Sequence, residues 1–163
     1  MASDRAAHSI DEAISFFEQL SSRIAQGAAQ GIELGAEAVL HSAREIVGHY
    51  QTSHLGPYPA WDPLAPWTVR DREAQGYRPD EPGLRDGTMR DSYRMQVEGL
   101  RAFVGSNDMR AVWFEEGTAP SSIGGPQPPR LVLTLAAWRN RGMVFEMVYG
   151  HITTAIRDSI RNG

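Results

Sequence analysis

The stretch WDPLAPWTV at residues 61–69 opens a series of five short blocks that lie between two ordinary helical ends. The other four are GLRDGTMRDS at 83–92, FVGSN at 103–107, VWFEEGT at 112–118 and PPR at 128–130. Proline recurs so often over residues 51–88 that no long helix or strand can form there. The sequence therefore predicts a Pro-rich, extended arm, interrupted by one short helix that begins near Pro66 and reaches Gln75.

After the arm, apolar side chains occur at every second residue. Residues 92–97 and 100–105 alternate apolar and polar side chains, with Glu98 and Gly99 between them. This pattern predicts an antiparallel hairpin. The next segment, Met109–Glu116, is open to two readings, a short helix capped by the preceding polar residues or a third strand.

Both ends of the chain show helical periodicity, with apolar side chains every three or four residues. Ser9 and Glu12 have the spacing of a capping box, which predicts that the first helix begins there. Gly27 and Gly31 interrupt the stripe and glycine is a poor helix former, so the segment is either one long helix with a soft point or two helices in line. The apolar stripe from Met143 to Ile160 predicts a C-terminal helix that packs on the first.

These patterns together predict one α+β domain, which is also what a chain of 163 residues suggests by length. Its expected parts are a long N-terminal helical segment (1–50), the extended arm (51–88), a small antiparallel sheet with a mobile loop over Gly117–Pro129 (89–129), and a helical C-terminus that packs on the first helix (130–163).

Composition excludes several classes of chemistry. The chain has no cysteine, so disulfides, thiol catalysis and thiolate metal sites are excluded. No window approaches the ~20 apolar residues of a membrane span, and we expect a soluble protein without an export signal. The net charge is −4 and no basic patch occurs, so the sequence does not predict a nucleic-acid binder.

Two groups of polar residues could suggest a reactive site, and neither has suitable spacing. Glu115 and Glu116 are adjacent and would point in different directions, whereas a glycosidase needs two carboxylates that face each other. His41, Glu45 and His49 share a helix face, but four residues rise about 6 Å, so the outer two are too far apart for one ion. We predict no catalytic, cofactor or metal site and no enzyme activity.

The five blocks, taken in order, resemble the tailed-phage neck and tail-completion proteins, also called the phage virion morphogenesis family. In that family W-x-P-L-S-P-x-T precedes L-[IL]-x-T-G-x-L-R-x-S, V-G-[ST], E-x-G-T and P-P-R-P-F-L. The resemblance covers about residues 55–137. Two steps depart from the pattern: Gly87-Thr88 reverses the usual Thr-Gly order, and Leu131-Val132-Leu133 replaces the proline and aromatic after Arg130.

This resemblance implies a structural virion protein of the neck, which joins head to tail or completes the tail as part of a homo-oligomeric ring. The implied partners are other head–tail connector and tail proteins. Genomic DNA would pass through the channel without specific binding, and no membrane is involved. The implied location is the virion, at the neck or upper tail, after assembly from the host cytoplasm. The candidate interface or motif residues are Trp61, Leu64, Trp67, Leu84, Arg90, Ser92, Glu115, Gly117, Thr118, Pro129 and Arg130.

Three alternatives stay open. The nearest is a tail terminator or head-closure ring protein. A virion-associated glycan hydrolase would use Glu115 or Glu116, with Trp61 and Trp67 as a sugar platform. The third is a helical adaptor unrelated to phage.

Two further expectations concern surfaces. Trp61 and Trp67 are interpreted as anchors that pin the Pro-rich loop onto the domain or onto a neighbouring subunit. We expect truncation of either to leave the domain folded and to weaken assembly. Residues 1–60 carry seven acidic side chains against three arginines. This excess suggests either a negative surface toward the DNA channel or a solvated outer rim.

Overall fold

The computed structural model describes residues 2–120 and 125–162, with side chains for 9–120 and 125–161. The fold is α+β, as predicted, with a long N-terminal helix, a two-stranded antiparallel sheet and a C-terminal helix that packs against the first. The elements in chain order are α1 (Ala2–Ile46), α2 (Pro66–Ala74), α3 (Thr88–Ser92), β1 (Tyr93–Glu98), β2 (Arg101–Ser106), α4 (Met109–Glu116) and α5 (Leu133–Asn162).

Contacts within the described residues divide the chain into two compact units. The helical unit contains Met1–Gly35, Val97–Ala102 and Gly142–Gly163, and so includes long parts of α1 and α5. The motif unit contains Ala36–Gln96 and Phe103–Arg141, and so includes all five sequence blocks. No helix in the described part of the chain is long and apolar enough to cross a membrane.

Glycines on one face of α1 allow α5 to approach closely within the helical unit. A Cβ atom at Gly31 would lie 2.6 Å from the Cα of Val148, and one at Gly27 would lie 2.8 Å from the carbonyl oxygen of His151. α1 runs without a break through Gly27 and Gly31, so the alternative of two helices in line is wrong and one long helix is confirmed. The glycines serve the contact between helices, which a reading of helix propensity alone does not detect.

Both terminal helices are present as predicted, but each begins earlier in the chain than predicted. α1 begins at Ala2, so Ser9 lies inside the helix and the capping-box prediction is wrong. Alanine, the best helix former, is frequent in the preceding residues and extends the helix in that direction. α5 begins at Leu133, ten residues before the apolar stripe that predicted it.

The middle of the chain follows the predicted order of elements. The hairpin strands lie one residue later than expected. Met109–Glu116 is helical, because the Asp108 side chain accepts a hydrogen bond from the backbone N–H of Arg110 and caps it. The alternative of a third strand is therefore wrong. The short helix α3 begins after Gly87, whose φ is +82°.

The core of the motif unit is built from the end of α1, the start of α5 and the segment between them. Tyr93, Val132 and Leu135 have no exposed surface. The Pro-rich segment packs into the same unit, since Gln51 and Arg72 are buried. The unit therefore holds the sequence blocks on a packed apolar base.

Candidate functional site

Arg130 joins three of the five blocks. Its guanidinium donates hydrogen bonds to the carbonyl oxygens of Asp62 and Pro63, at 3.0 and 3.4 Å. Its backbone N–H donates to the carbonyl oxygen of Phe114 at 2.6 Å. Arg130 is only 4% exposed, and burial lowers the pKa of its guanidinium. The backbone and the buried side chain of Arg130 thus fix the first, fourth and fifth blocks to one another.

Glu115 caps the N-terminus of α5. One carboxylate oxygen accepts hydrogen bonds from the backbone N–H groups of Val132 and Leu133, at 2.7 and 3.1 Å. The other accepts from the backbone N–H and the hydroxyl of Thr134. A negative charge is favourable at this end of a helix, where N–H groups lack partners within the helix. Both oxygens of Glu115 are therefore engaged in holding α5, while Glu116 is exposed.

Gly117 and Thr118 close the loop that follows α4. The φ of Gly117 is +76°, and a Cβ there would lie 2.7 Å from the carbonyl oxygen of Gln127 and 3.0 Å from the ring of Pro129. The N–H of Thr118 donates to the same Gln127 oxygen, and the Thr118 hydroxyl accepts from the N–H of Gln127. The ends of the loop are thus bridged. Part of the predicted mobile loop, Ser121–Gly124, lies outside the described residues.

The second and third blocks meet through two serine side chains. The hydroxyls of Ser92 and Ser106 lie 2.6 Å apart, and Ser106 also accepts from the N–H of Asp108. Arg90 lies nearer the surface, where its guanidinium pairs with Asp91 at 2.8 Å and lowers the pKa of that carboxyl.

Leu84 and Leu64 attach their segments to the rest of the motif unit. Leu84 packs against Gly48, where a Cβ would meet its side chain at 2.9 Å. The N–H of Leu64 donates to the hydroxyl of Tyr50, which in turn donates to Asp80. Burial and the bond to Asp80 raise the pKa of Tyr50.

The two tryptophans of the first block have different environments. Trp61 is 8% exposed and belongs to the core, and its backbone N–H donates to the carbonyl oxygen of Gln51. Trp67 is 61% exposed. The expectation that both can be truncated without disturbing the fold is therefore wrong for Trp61, because its side chain is part of the apolar base.

A pocket of about 490 Å³ lies within the motif unit, and we call it the arginine pocket. Its walls include Trp67, Met89, Trp113 and Phe114, and its charged lining residues are Arg72, Arg85, Arg110 and Arg130. No aspartate or glutamate is among the described residues that line it. Sequence reasoning missed this pocket, because its arginines lie far apart along the chain and only the fold brings them together.

His41, Glu45 and His49 do not form a site with several ligands, and they do not share a helix face as expected, because α1 ends at Ile46 and His49 lies in the turn that follows. His41 and Glu45 lie 3.1 Å apart on an exposed surface, while Nδ1 of His49 lies 2.8 Å from the backbone oxygen of Glu45. Within the described ranges, no group of three or more His, Asp or Glu side chains could hold a metal ion.

Comparisons with known proteins give no match: no family model, no curated protein and no solved structure matches the chain. The family resemblance therefore depends on the five blocks and their order.

Proposed function

We propose that this protein is a structural component of the neck of a tailed-phage virion, where a ring of identical copies joins the head to the tail or completes the tail. The observation that carries the proposal is the convergence of the five blocks in one compact unit. Arg130, Glu115 and Ser92 make the contacts that join the blocks or fix α5. Residues that resemble a family motif thus form the framework of the unit.

The surface of the protein supports a role in assembly. Large apolar side chains are exposed on both compact units, including Phe17 at 62%, Trp67 at 61% and Phe145 at 64%. Exposed aromatic side chains are enriched at protein interfaces, where partner contacts remove them from water. In a neck ring, such contacts would be made with neighbouring copies and with other connector and tail proteins. The protein would reach the virion from the host cytoplasm, and DNA would pass without specific binding.

The geometry gives no support to the glycan hydrolase alternative. Such an enzyme needs one carboxylate free to give a proton and a second to stabilise or attack the sugar. Both oxygens of Glu115 accept hydrogen bonds from the start of α5. Trp61 is buried, so it cannot form an exposed sugar platform with Trp67.

Deleting the gene from its phage and imaging the particles by negative stain tests the proposal. We expect filled heads and completed tail tubes that fail to join, with normal virions restored by the gene supplied in trans. Tails of uncontrolled length would favour the tail-terminator alternative, and heads that have lost their DNA would favour head closure. Normal, infectious particles without the protein would overturn the proposed function.

A further inference from the structure

The outer surface of α5 carries two aromatic side chains that the helical unit leaves exposed. Val144, Val148 and Ala155 lie on the face of α5 that contacts the glycines of α1. Phe145 and Tyr149 each follow one of these valines, so they lie about 100° around the helix from that face. They are 64% and 57% exposed, and their rings stack with centroids 6.0 Å apart.

The apolar surface continues along α5 with the spacing of a coiled coil. Ile152 and Ile156 follow Tyr149 at intervals of three and four residues, and both are half-buried. Intervals of four, three and four residues keep one side of a helix apolar and suit packing against a second helix. We call Phe145, Tyr149, Ile152 and Ile156 the α5 stripe, which spans about 17 Å along the helix axis.

Two opposite charges lie beside the α5 stripe, on the same flank. Glu146 and Arg157 are both exposed, and neither has an ion pair or a hydrogen bond among the described residues. Because they are eleven residues apart, they lie within about 20° of each other around the helix. Their midpoint falls only one residue from the midpoint of the α5 stripe. The charges are therefore placed almost symmetrically about the centre of the apolar surface.

An antiparallel pair of α5 helices from two copies matches this pattern. When the two stripes are aligned centre to centre, Phe145 of one copy lies opposite Ile156 of the other. Tyr149 then lies opposite Ile152, so each aromatic ring meets an isoleucine. Four such layers remove the exposed rings from water, which is favourable.

The same alignment brings the flanking charges together. In an antiparallel pair each flank faces the same flank of the second helix. Glu146 then lies only about 3 Å along the axis from the level of Arg157 in the other copy, within reach of its long side chain. The ion pair forms twice, once on each side of the two-fold axis. Opposite charges beside an apolar seam favour one orientation of the helices over the other.

We propose that two copies of this protein associate through the α5 stripe as an antiparallel, two-fold pair. Such a contact uses the same surface of both copies and closes on itself. It therefore pairs copies and does not build a ring, so it stands independently of the neck function. The contact is short, and we expect the pair to be weak and dependent on protein concentration.

Crosslinking of the full-length protein tests the pair directly. The chain has no cysteine, so an introduced cysteine is unique. Thr153→Cys lies on the same flank as the two charges and close to the two-fold axis, where two copies bring this position near itself. We expect a short bismaleimide to link Thr153→Cys into a covalent dimer at high protein concentration.

The matched control is Thr154→Cys, an exposed neighbour that lies about 100° further from the α5 stripe. We expect only background linkage for this variant. Equal linkage of Thr153→Cys and Thr154→Cys, or no linkage of Thr153→Cys, would overturn the proposed pair.

Charge exchange tests the orientation by sedimentation velocity. Glu146→Arg and Arg157→Glu each place like charges together twice, and we expect either change to weaken association at least about tenfold. The double variant has the net charge of the parent and restores both ion pairs with their signs exchanged, so it should associate like the parent. Circular dichroism checks that all three variants remain folded.

The control for net charge is Glu33→Arg, which changes an exposed side chain of α1 by the same amount. We expect it to associate like the parent. Weakening by Glu33→Arg equal to that by Glu146→Arg would mean that net charge alone acts, and would overturn the pair. Association of the double variant as weak as that of the single variants would overturn it too.

Discussion

Among single residues, Tyr93 makes the sharpest prediction about stability. Its side chain has no exposed surface, and its hydroxyl has no hydrogen-bond partner among the described residues. Because an unpaired buried hydroxyl is unfavourable, we expect Tyr93→Phe to raise the free energy of unfolding in urea by about 1 kcal/mol. The control is Tyr50→Phe, which removes a hydroxyl bonded to Asp80 and Leu64 and should lower stability. Equal losses in both variants would contradict this account.

The same residue gives a dependence on pH. Burial, followed by the charges of Glu115 and Asp108, raises the pKa of Tyr93 above its ordinary value of 10.0. The folded state therefore holds this proton more tightly than the unfolded state. This difference contributes to the free energy of unfolding. The contribution is fully present below about pH 10 and is lost as the pH rises through the pKa of the folded state. The midpoint of urea unfolding should therefore fall between neutral and alkaline pH in the parent. It should fall less in Tyr93→Phe, which has no phenol to ionise.

Glu115 tests whether the motif carboxylate is structural. Glu115→Ala leaves three backbone N–H groups at the start of α5 without their acceptor, and we expect a loss of about 2 kcal/mol in urea unfolding. Glu116→Ala, at the exposed neighbour, should change stability by less than about 0.5 kcal/mol. A loss of similar size in the two variants would rule out the capping role.

At the scale of elements, the helix pair depends on the absence of side chains at the α1 glycines. A methyl group at Gly31 would overlap the backbone of α5 at Val148, whereas one at Gly142 meets no atom within 4 Å. Gly31→Ala should therefore lower the free energy of unfolding by roughly 1–3 kcal/mol, as overpacking does. Gly142→Ala should raise it by up to about 1 kcal/mol, because alanine favours the helix. Thermal unfolding of both variants provides the measurement, and stabilisation of both would exclude the close approach.

The elements themselves were largely predictable from local patterns. The period of the apolar side chains predicted α1, α5 and the hairpin. The polar residues 106–108 indicated a cap for α4 but left a third strand open, and the structure shows that Asp108 is the cap. The start of α5 was not predictable in this way, because its cap comes from Glu115, 18 residues before Leu133 in the chain. The role of Gly31 was missed for the same reason, since it depends on a contact with a distant helix. Contacts between distant residues also create the arginine pocket, which no local pattern announces.

At the scale of the whole molecule, the two tryptophans of the first block should separate folding from assembly. Trp61→Ala removes a buried core side chain and should cost about 3–5 kcal/mol in unfolding. Trp67→Ala alters an exposed side chain and should leave the unfolding curve nearly unchanged while reducing the yield of joined particles. The measurements are urea unfolding and complementation of the gene deletion. Full complementation by Trp67→Ala would exclude an interface role for Trp67.

The measurement that tests the central claim most directly is a cryo-electron microscopy reconstruction of the neck of the intact virion. We predict a ring of copies of this chain around the DNA channel, recognisable by α1 and α5 packed against each other and by the motif unit. Trp67 should contact a neighbouring chain, and the position of Glu33 and Glu37 will show whether the acidic surface faces the channel or the outer rim. A neck whose rings are all built from other chains would contradict the account.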